Sequence, residues 1–194
     1  LLKRSARLDS LTGLPLRHGL EEEFSRFRAQ ARQLGKKTVL MMIDVDHFKQ
    51  FNDRYGHWRG DEVIRMLAEI AIEAAAPDPE AFATHIGGDD FCIVTSPEMV
   101  DEIGAGCVER FDARVAKHYD DDDIRRGHIA TRSRTGEQQQ FEIMTLTAVA
   151  ATAEAADMEH FGQLFQVLAE LKVHTKGMAS SNYFKDRRRD HGWS

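Results

Sequence analysis

The chain has 194 residues, which is enough for one compact domain with at most a short appendage. Its 42% hydrophobic and 30% charged residues argue against disorder, and its net charge of −6 gives no support to nonspecific nucleic-acid binding. No apolar run approaches the roughly 18 residues of a membrane span, and no signal peptide is visible. Cys92 and Cys107 lack metal-ligand spacing, and Cys92 is predicted to be a reduced core cysteine. We therefore expect a cytoplasmic domain that contacts neither nucleic acid nor membrane.

Helix and strand patterns alternate through the first half of the chain. Apolar residues at helical spacing predict a helix over 17–34, which Gly35 ends. The β-prone run 38–43 predicts a buried central strand. Two further helical patterns follow, the first closed by Gly56 and the second beginning near Gly60.

The second half completes one sheet covered by helices. A helix is predicted from Pro97 onward, and the acidic run 120–123 is interpreted as a solvated loop rather than a calcium site, because no ordered ligand spacing follows it. The later pattern predicts strands over 124–131 and 141–151 joined by a polar hairpin at 133–137, a helix over 161–173 and a short strand over 182–184. Interleaved helices, strands and hairpins indicate an α/β or α+β fold.

Two acidic pairs indicate the chemistry. Gly87-Gly88-Asp89-Asp90-Phe91 lies between two apolar runs, the pattern of a tight β-hairpin whose turn carries adjacent carboxylates. Such carboxylates repel each other unless a cation lies between them. A second pair, Asp44-Val45-Asp46, ends the predicted central strand, where open sheets commonly bind ligands. The two pairs predict a divalent-metal site for phosphate chemistry, to which the Asp44 carboxylate and the Val45 carbonyl contribute oxygen ligands.

Polar residues after the central strand suit a nucleotide. Residues 47–49 begin a predicted helix whose free N–H groups suit phosphate, and Lys49 can offset charge that develops at phosphorus. Asn52 and Asp61 suit the edge of guanine, which presents N1–H and a 2-amino group as donors. Taken singly, each residue has an ordinary structural role as a solvated side chain or helix cap, so only the joint arrangement favours a nucleotide site.

Three blocks resemble the GGDEF-type diguanylate cyclases of bacteria. Residues 9–15, Asp-Ser-Leu-Thr-Gly-Leu-Pro, resemble the start of the family motif D-x-L-T-G-L-x-N-R. Residues 44–61 match D-x-D-x-F-K-x-x-N-D-x-x-G-H-x-x-G-D at every defined position, and residues 87–91 resemble the signature hairpin. The similarity is strong over about 9–95 and thin afterwards.

The resemblance implies a GGDEF, nucleotidyl-cyclase palm-like fold, with a central, mostly antiparallel sheet flanked by helices. It implies that two GTP molecules, one on each protomer of a homodimer, condense into cyclic di-GMP with release of pyrophosphate. Residues 1–8 are then expected to end a linker helix from an upstream sensory or receiver domain. Residues 9–186 are expected to form the GGDEF domain, and 187–194 a C-terminal tail.

The resemblance also implies residue roles toward GTP and toward Mg²⁺ or Mn²⁺. The expected set is Asp44, the Val45 carbonyl and Asp89 for the metal; Asp89, Lys49 and Asp90 for catalysis; and Asn52, His57, Asp61, Phe48, Gly88 and Lys176 for the substrate. Within this set Asp89 accepts the 3′-hydroxyl proton, Lys49 stabilises the transition state, and Asn52 and Asp61 read guanine.

Some positions depart from the family pattern. Asp90 stands where Glu is usual and is one methylene shorter, and Leu16 replaces a usual Asn. Residues 78–81, Asp-Pro-Glu-Ala, replace the R-x-x-D product-inhibition site, so feedback inhibition by that route is expected to be absent.

The late phosphate-binding segment departs as well. Aligning Gly177 with the family's late glycine puts His174 and Met178 where a Lys and an Arg contact the triphosphate. Lys176 or Lys172 is then the candidate substitute cation.

The alternative hypothesis is a catalytically weak or inactive GGDEF-like domain that binds GTP or a partner protein as a signalling module. The metal and guanine residues suit both hypotheses, so Asp90 and the late segment discriminate between them. A third hypothesis is a different nucleotide cyclisation. Asp61 favours guanine over adenine as the base that the site binds.

Overall fold

The computed structural model describes residues 8–35, 37–132, 138–153, 161–175 and 178–186. The helices are α1 (Arg17–Gln33), α2 (Phe48–Tyr55), α3 (His57–Ala75), α4 (Val100–Val115), α5 (Asp121–Arg126) and α6 (Phe161–Thr175), with one 3-10 turn at Ala116–His118. The strands are β1 (Thr38–Val45), β2 (Phe82–Gly87), β3 (Asp90–Thr95), β4 (His128–Arg132), β5 (Gln138–Glu142), β6 (Leu146–Ala153) and β7 (Asn182–Lys185). Within the described residues, no helix combines the length and apolar character needed to cross a bilayer.

One five-stranded sheet organises the domain. Its strand order is β2-β3-β1-β6-β7, and β4 and β5 form a separate two-stranded sheet. The pairs β2–β3, β3–β1 and β1–β6 are antiparallel, and β6–β7 is parallel. Every residue of β1 is buried, which agrees with the continuous apolar run that predicted a central strand. The predicted fold, a mostly antiparallel sheet flanked by helices, is confirmed.

Helices cover the sheet on both faces because β1 is apolar on both. Val39, Met41 and Ile43 belong to the core cluster that includes residues of α3 and α4. Leu40 and Met42 belong to the cluster on the other face, with residues of α1 and α6. This alternation is the two-residue period of a strand. Each fully buried large apolar side chain contributes roughly 1.5–3 kcal/mol, so β1 is firmly held and the position of Asp44 near its end is fixed.

The N-terminal motif packs along the outer edge of β2. The carbonyl oxygen of Pro15 accepts hydrogen bonds from the His85 backbone N–H at 3.0 Å and from the Thr84 hydroxyl at 2.5 Å. Leu16 forms a parallel β-bridge with His85, and Leu8 forms an antiparallel bridge with Pro15. The remaining residues of the expected linker helix, 1–7, lie outside the described residues, as does the expected tail at 187–194.

The structure corrects the prediction for the acidic run and the strand after it. Residues 121–126 form α5 instead of a solvated loop followed by a strand, and Gly127, with a φ of 73°, ends this helix. Aspartates in the first turn and arginines in the last turn complement the helix dipole, and they pair at i,i+3 spacing. The predicted strand 141–151 is two strands, β5 and β6. The predicted hairpin 133–137 lies outside the described residues.

Both cysteines are free and buried, which confirms the prediction for Cys92. Burial raises the pKa of the Cys92 thiol well above its ordinary value and the pKa of Cys107 to about 12. Both side chains therefore stay as neutral thiols and act as small core residues.

Candidate active site

The hairpin between β2 and β3 carries the signature residues. Gly87 and Gly88 have positive φ angles of 147° and 61°, which glycine adopts without the steric cost of a side chain. The β2–β3 pairing shifts register between His85 and Gly87, so the turn departs from a regular ladder. Asp89 and Asp90 are half-buried at this turn, and Asp90 begins β3. The predicted turn with two adjacent carboxylates is confirmed.

The end of β1 and the hairpin converge on one lysine. Lys172, in the last turn of α6, places its Nζ 2.7 Å from Asp44 Oδ1 and 2.9 Å from Asp90 Oδ1. Burial alone would lower the pKa of Lys172, but hydrogen bonds to the two carboxylates outweigh it and raise this pKa above its ordinary value. Lys172 is therefore a fixed positive charge that Asp44 and Asp90 share.

Two carboxylates that converge on one positive centre also suit a divalent cation. Because Asp44 and Asp90 already approach a single ammonium group, small movements would bring both to one metal ion. Among the described residues no cluster of three or more His, Cys, Asp or Glu side chains is arranged to hold a metal. Magnesium commonly takes one or two protein carboxylates and completes its shell with waters and substrate phosphates, so the arrangement fits a metal that binds together with a nucleotide.

Asp46, the second acid of the strand-end pair, has a structural role. Its Oδ2 accepts hydrogen bonds from the hydroxyls of Thr145 at 3.1 Å and Thr147 at 2.7 Å. Its backbone N–H donates to the Thr145 carbonyl at 2.8 Å. These bonds fasten the end of β1 to β6 and to the residues that precede β6. Asp44 is the member of the pair that Lys172 links to the hairpin.

The turn between α2 and α3 forms a second part of the site. Gly56, with a φ of 83°, separates the two helices, and its N–H donates to the Asn52 carbonyl at 2.8 Å. The Asn52 side chain lies against Gly60, where an added Cβ would stand 1.9 Å from Asn52 Oδ1. That Oδ1 is buried, and no donor among the described residues hydrogen-bonds to it. Asp61, half-buried, follows Gly60 directly, so two acceptor side chains lie on adjacent helices as a guanine site requires.

The other candidate residues occupy varied positions. Lys49 and His57 are exposed in the first turns of α2 and α3, and Phe48 is partly buried against the core. Val45 is buried and pairs with Leu146. Lys176 lies outside the described residues. The structure thus brings Asp44 and Asp90 to the same ammonium group of Lys172, and it places the Asn52 side chain against Gly60, next to Asp61 in sequence. The contacts predicted for the remaining residues stay predictions.

The alignment on Gly177 pointed to positions 174 and 178, whereas the cation that contacts Asp44 and Asp90 is Lys172. The helix itself contained a better signal, because Leu164, Leu168 and Lys172 recur at spacings of four residues, and the two leucines are fully buried. Residues at that spacing share one helix face. The sheet-facing stripe of α6 therefore ends in a cation, a pattern that predicts an acidic partner beneath it.

His85 links the N-terminal motif to the hairpin. Its Nε2 lies 2.9 Å from the Gly88 carbonyl oxygen, and its ring stacks on Phe91 with centroids 4.5 Å apart. Its Nδ1 lies 3.1 Å from Asp9 Oδ1, an ion-pair contact that lacks hydrogen-bond alignment. Burial alone would raise the pKa of Asp9, but hydrogen bonds from the hydroxyl and backbone N–H of Thr12 bring this pKa below its ordinary value. A carboxylate at residue 9 thereby supports the histidine that holds the turn.

A mostly antiparallel sheet, with carboxylates at the end of its central strand and on the adjacent hairpin, is the arrangement of a GGDEF domain. Residues 6–159 match the family described as "Diguanylate cyclase, GGDEF domain". The chain belongs to this family.

Relatives of known name agree with this membership. The chain is 33% identical over 162 residues to the diguanylate cyclase DgcZ of Escherichia coli, a match that covers 82% of this chain and 51% of that protein. It is 38% identical over 93 residues to the cyclic di-GMP phosphodiesterase NbdA of Pseudomonas aeruginosa, covering 48% of this chain and 12% of that protein. The chain therefore spans about half of the first relative and about an eighth of the second.

A solved structure agrees in fold. The GGDEF domain of DgcB from Caulobacter crescentus, solved in complex with c-di-GMP, superimposes with a TM-score of 0.69 at 24% identity. The match covers 95% of this chain and 98% of that one, so the shared fold extends beyond the residues of strong motif similarity.

Proposed function

We propose that this domain is a diguanylate cyclase that condenses two GTP molecules into cyclic di-GMP and releases pyrophosphate. The observation that carries the proposal is the convergence of Asp44 and Asp90 on one positive centre. Family membership over residues 6–159 and the unpartnered acceptor of Asn52 support it. In this proposal the two GTP molecules lie on facing protomers of a homodimer, because one domain presents a single hairpin to a single nucleotide.

The proposed ligands of Mg²⁺ or Mn²⁺ are Asp44, the Val45 carbonyl and Asp89. A divalent cation bound there would neutralise phosphate charge and polarise the phosphorus. Asp90 adds a carboxylate on the same side. Of the two lysines offered by the sequence as the triphosphate cation, Lys172 is the one that lies at this site. Lys172 is thereby proposed as a further phosphate contact in the nucleotide complex, where its ammonium group would offset the negative charge of the triphosphate.

The chemical step is an in-line displacement at the α-phosphorus. The 3′-oxygen of one GTP forms a P–O bond, its proton passes to the Asp89 carboxylate, and the bond to pyrophosphate breaks. Lys49 stabilises the charge on the equatorial oxygens, and a second identical step closes the ring. Asp89 is proposed for the proton because the resemblance to the family assigns this role to the first aspartate of the signature hairpin.

Guanine recognition is proposed for the helix pair. The buried Oδ1 of Asn52 and the carboxylate of Asp61 are acceptors, and guanine presents N1–H and a 2-amino group, whereas adenine has neither. His57, Phe48 and Gly88 are proposed to contact the rest of the nucleotide.

The test is to incubate purified protein with GTP and Mg²⁺ over a range of protein concentrations and to detect cyclic di-GMP by mass spectrometry. Asp89→Ala should lower turnover by about 10²–10⁴-fold, the usual contribution of a general base, and should weaken GTP binding less than Asp61→Ala does. Asp61→Ala should weaken GTP binding by roughly 10–100-fold through loss of charge-assisted hydrogen bonds. An equal loss of GTP binding in both variants would contradict the assigned roles.

The second candidate function is a catalytically weak domain that binds GTP or a partner protein as a signalling module. The observation that favours it is Asp90, which is shorter than the usual Glu and is engaged by Lys172. Tight GTP binding without product at high protein concentration would select this function over the cyclase.

A further inference from the structure

The acidic run 120–123 buries one of its carboxylates against the helix pair of the nucleotide site. Asp123 in α5 is 0% exposed, whereas the side chain of its neighbour Asp122 is 72% exposed and pairs with Arg125. A fully buried carboxylate costs free energy unless charged and hydrogen-bonding partners compensate it, so the partners of Asp123 define its role.

Asp123 is held by donors from the last turn of α2. The hydroxyl of Tyr55 donates a hydrogen bond to Asp123 Oδ2, and Arg54 Nε lies 3.5 Å from the same oxygen. Arg126, from the helix of Asp123 itself, donates to Oδ1. Burial raises the pKa of Tyr55 to about 12, with the hydrogen bond to Asp123 adding to the effect, so the phenol stays protonated and remains a donor. Burial opposes ionisation of Asp123, but the bonds from Tyr55 and Arg126 lower its pKa below the ordinary value.

The ring of Tyr55 is clamped from several sides. Its centroid lies 4.9 Å from that of Phe51 and 5.6 Å from that of Tyr119. The guanidinium groups of Arg54 and Arg59 lie 5.3 Å and 4.8 Å from the ring centroid. Arg59 belongs to α3, so the clamp includes residues on both sides of the Gly56 turn.

A second contact ties α3 to the acidic run. Arg59 donates from Nη1 to Asp120 Oδ1 at 2.9 Å. The residues immediately before the turn therefore contact Asp123, and Arg59, in the first turn of α3, contacts Asp120. The segment 120–123 fastens both helices to one short element.

This attachment matters because α2 is a short helix. It has eight residues, and Phe51 is the buried one among them. The angle at Gly56 sets how the Asn52 amide and the Asp61 carboxylate lie relative to each other, and Asn52 already touches Gly60 with no room for a Cβ. A small rotation of α2 would shift the Asn52 side chain relative to Gly60 and Asp61.

We propose that Asp123 is a positioning residue for guanine recognition: it holds Tyr55 and Arg54 and so fixes the turn that aims Asn52 and Asp61 at one base. The inference rests on the proposed function, because it assumes that these two side chains read guanine. Asp123 itself touches no substrate, and its effect is on affinity for the base and not on the chemical step.

The experiment compares Asp123→Asn with Asp122→Asn, the same substitution at the exposed neighbouring position. Titration calorimetry measures the affinity of the full chain for GTP and for ATP, and steady-state kinetics separates KM from kcat. Misplacement of binding groups by a fraction of an ångström to 1 Å costs about 10–100-fold, so Asp123→Asn should lower the GTP-over-ATP preference by about tenfold or more. It should raise the KM for GTP by a larger factor than it lowers kcat, because Asp89 lies on the β2–β3 hairpin and not on α2. Asp122→Asn should leave all these quantities unchanged.

Tyr55→Phe keeps the test decisive if Asp123→Asn fails to fold. It retains the ring that packs on Phe51 and Tyr119 and removes only the hydroxyl that donates to Asp123, so it should also lower the GTP-over-ATP preference. Wild-type preference in the folded variants would overturn the inference alone. A wild-type protein with no preference for GTP would overturn guanine recognition, and with it both proposals.

Discussion

Replacing Lys172 with methionine removes the positive charge that Asp44 and Asp90 share, while a chain of similar length stays in place. In the absence of metal, the two carboxylates would then lose the positive charge that they share. We expect the variant to be less stable than the wild type in a metal-chelating buffer and to respond more strongly to added metal.

The size of the effect follows from burial. The side chains of Lys172 and Asp44 are 17% and 6% exposed, so loss of the lysine leaves a buried carboxylate without its cation, which costs about 3 kcal/mol. The Asp90 side chain is 39% exposed, and its contact adds at most about 0.5 kcal/mol because solvent screens it. For a chain of this length, 1 kcal/mol corresponds to roughly 2–4 °C, so the melting temperature should fall by about 6–12 °C.

The assay is thermal unfolding followed by circular dichroism, first with EDTA and then with Mg²⁺ or Mn²⁺. Any ligand that binds the folded state raises its stability, and in the variant a divalent cation no longer competes with an ammonium group for Asp44. The metal-induced rise in melting temperature should therefore be larger in the variant than in the wild type. Lys117→Met, at an exposed lysine on the 3-10 turn after α4, is the matched control.

Two results would refute the reasoning. If Lys172→Met melts within about 1 °C of the wild type in EDTA, the lysine does not compensate the buried carboxylate. If metal stabilises the variant and the wild type equally, the ammonium group and the cation do not share a position.

Two further predictions concern the packing of the site and the stability of the loop before β2. Gly60→Ala places a Cβ 1.9 Å from Asn52 Oδ1, so calorimetry should show that the variant binds GTP about tenfold more weakly than the wild type. The control is Gly162→Ala, whose added Cβ meets nothing within 4 Å and should leave GTP affinity unchanged. Unchanged affinity in Gly60→Ala would mean that Asn52 is not aimed at the base. Asp78 is buried and accepts a hydrogen bond from the Thr95 hydroxyl at 2.7 Å; burial alone would raise its pKa, but this bond and those from backbone N–H groups lower it. A lowered folded-state pKa contributes stability that is present above the unfolded value of about 3.9 and is lost as the pH falls through the folded value. Urea unfolding should therefore show that Asp78→Asn has a free energy of unfolding about 1–3 kcal/mol lower than the wild type at pH 6. This difference should narrow below about pH 4. A difference that does not depend on pH would show that ionisation of Asp78 does not contribute to stability.

Local sequence patterns were sufficient to predict the central strand, the hairpin and the position of Asp44 near the end of that strand. The apolar run that became β1, the two glycines of the hairpin and the spacing of residues 44–61 each encode structure within a few residues. Strand periodicity, positive φ and helix termination act locally, so they are visible without tertiary information. The placement of Asp44 at the end of a buried strand followed directly.

The parts that were missed depend on contacts distant in sequence. An acidic run has the same composition in a solvated loop and in the first turn of a helix, and the burial of Asp123 is decided by Tyr55, 68 residues earlier. The alignment on Gly177 left Lys172 and Lys176 as equal candidates, because the contacts of Lys172 with Asp44 and Asp90 depend on the phase of α6 against the sheet. Such pairings arise from tertiary packing, which overrides local composition.

The N-terminal segment that packs along the outer edge of β2 also affects solubility. An edge strand exposes unpaired backbone groups that can template pairing with another chain, and β2 lies at one end of the strand order. Pro15 and Leu16 cover part of this edge through the bonds to Thr84 and His85, and proline has no N–H with which to extend the ladder outward. Pro15 and Leu16 therefore also reduce the tendency of the sheet to aggregate by edge-to-edge pairing with another chain.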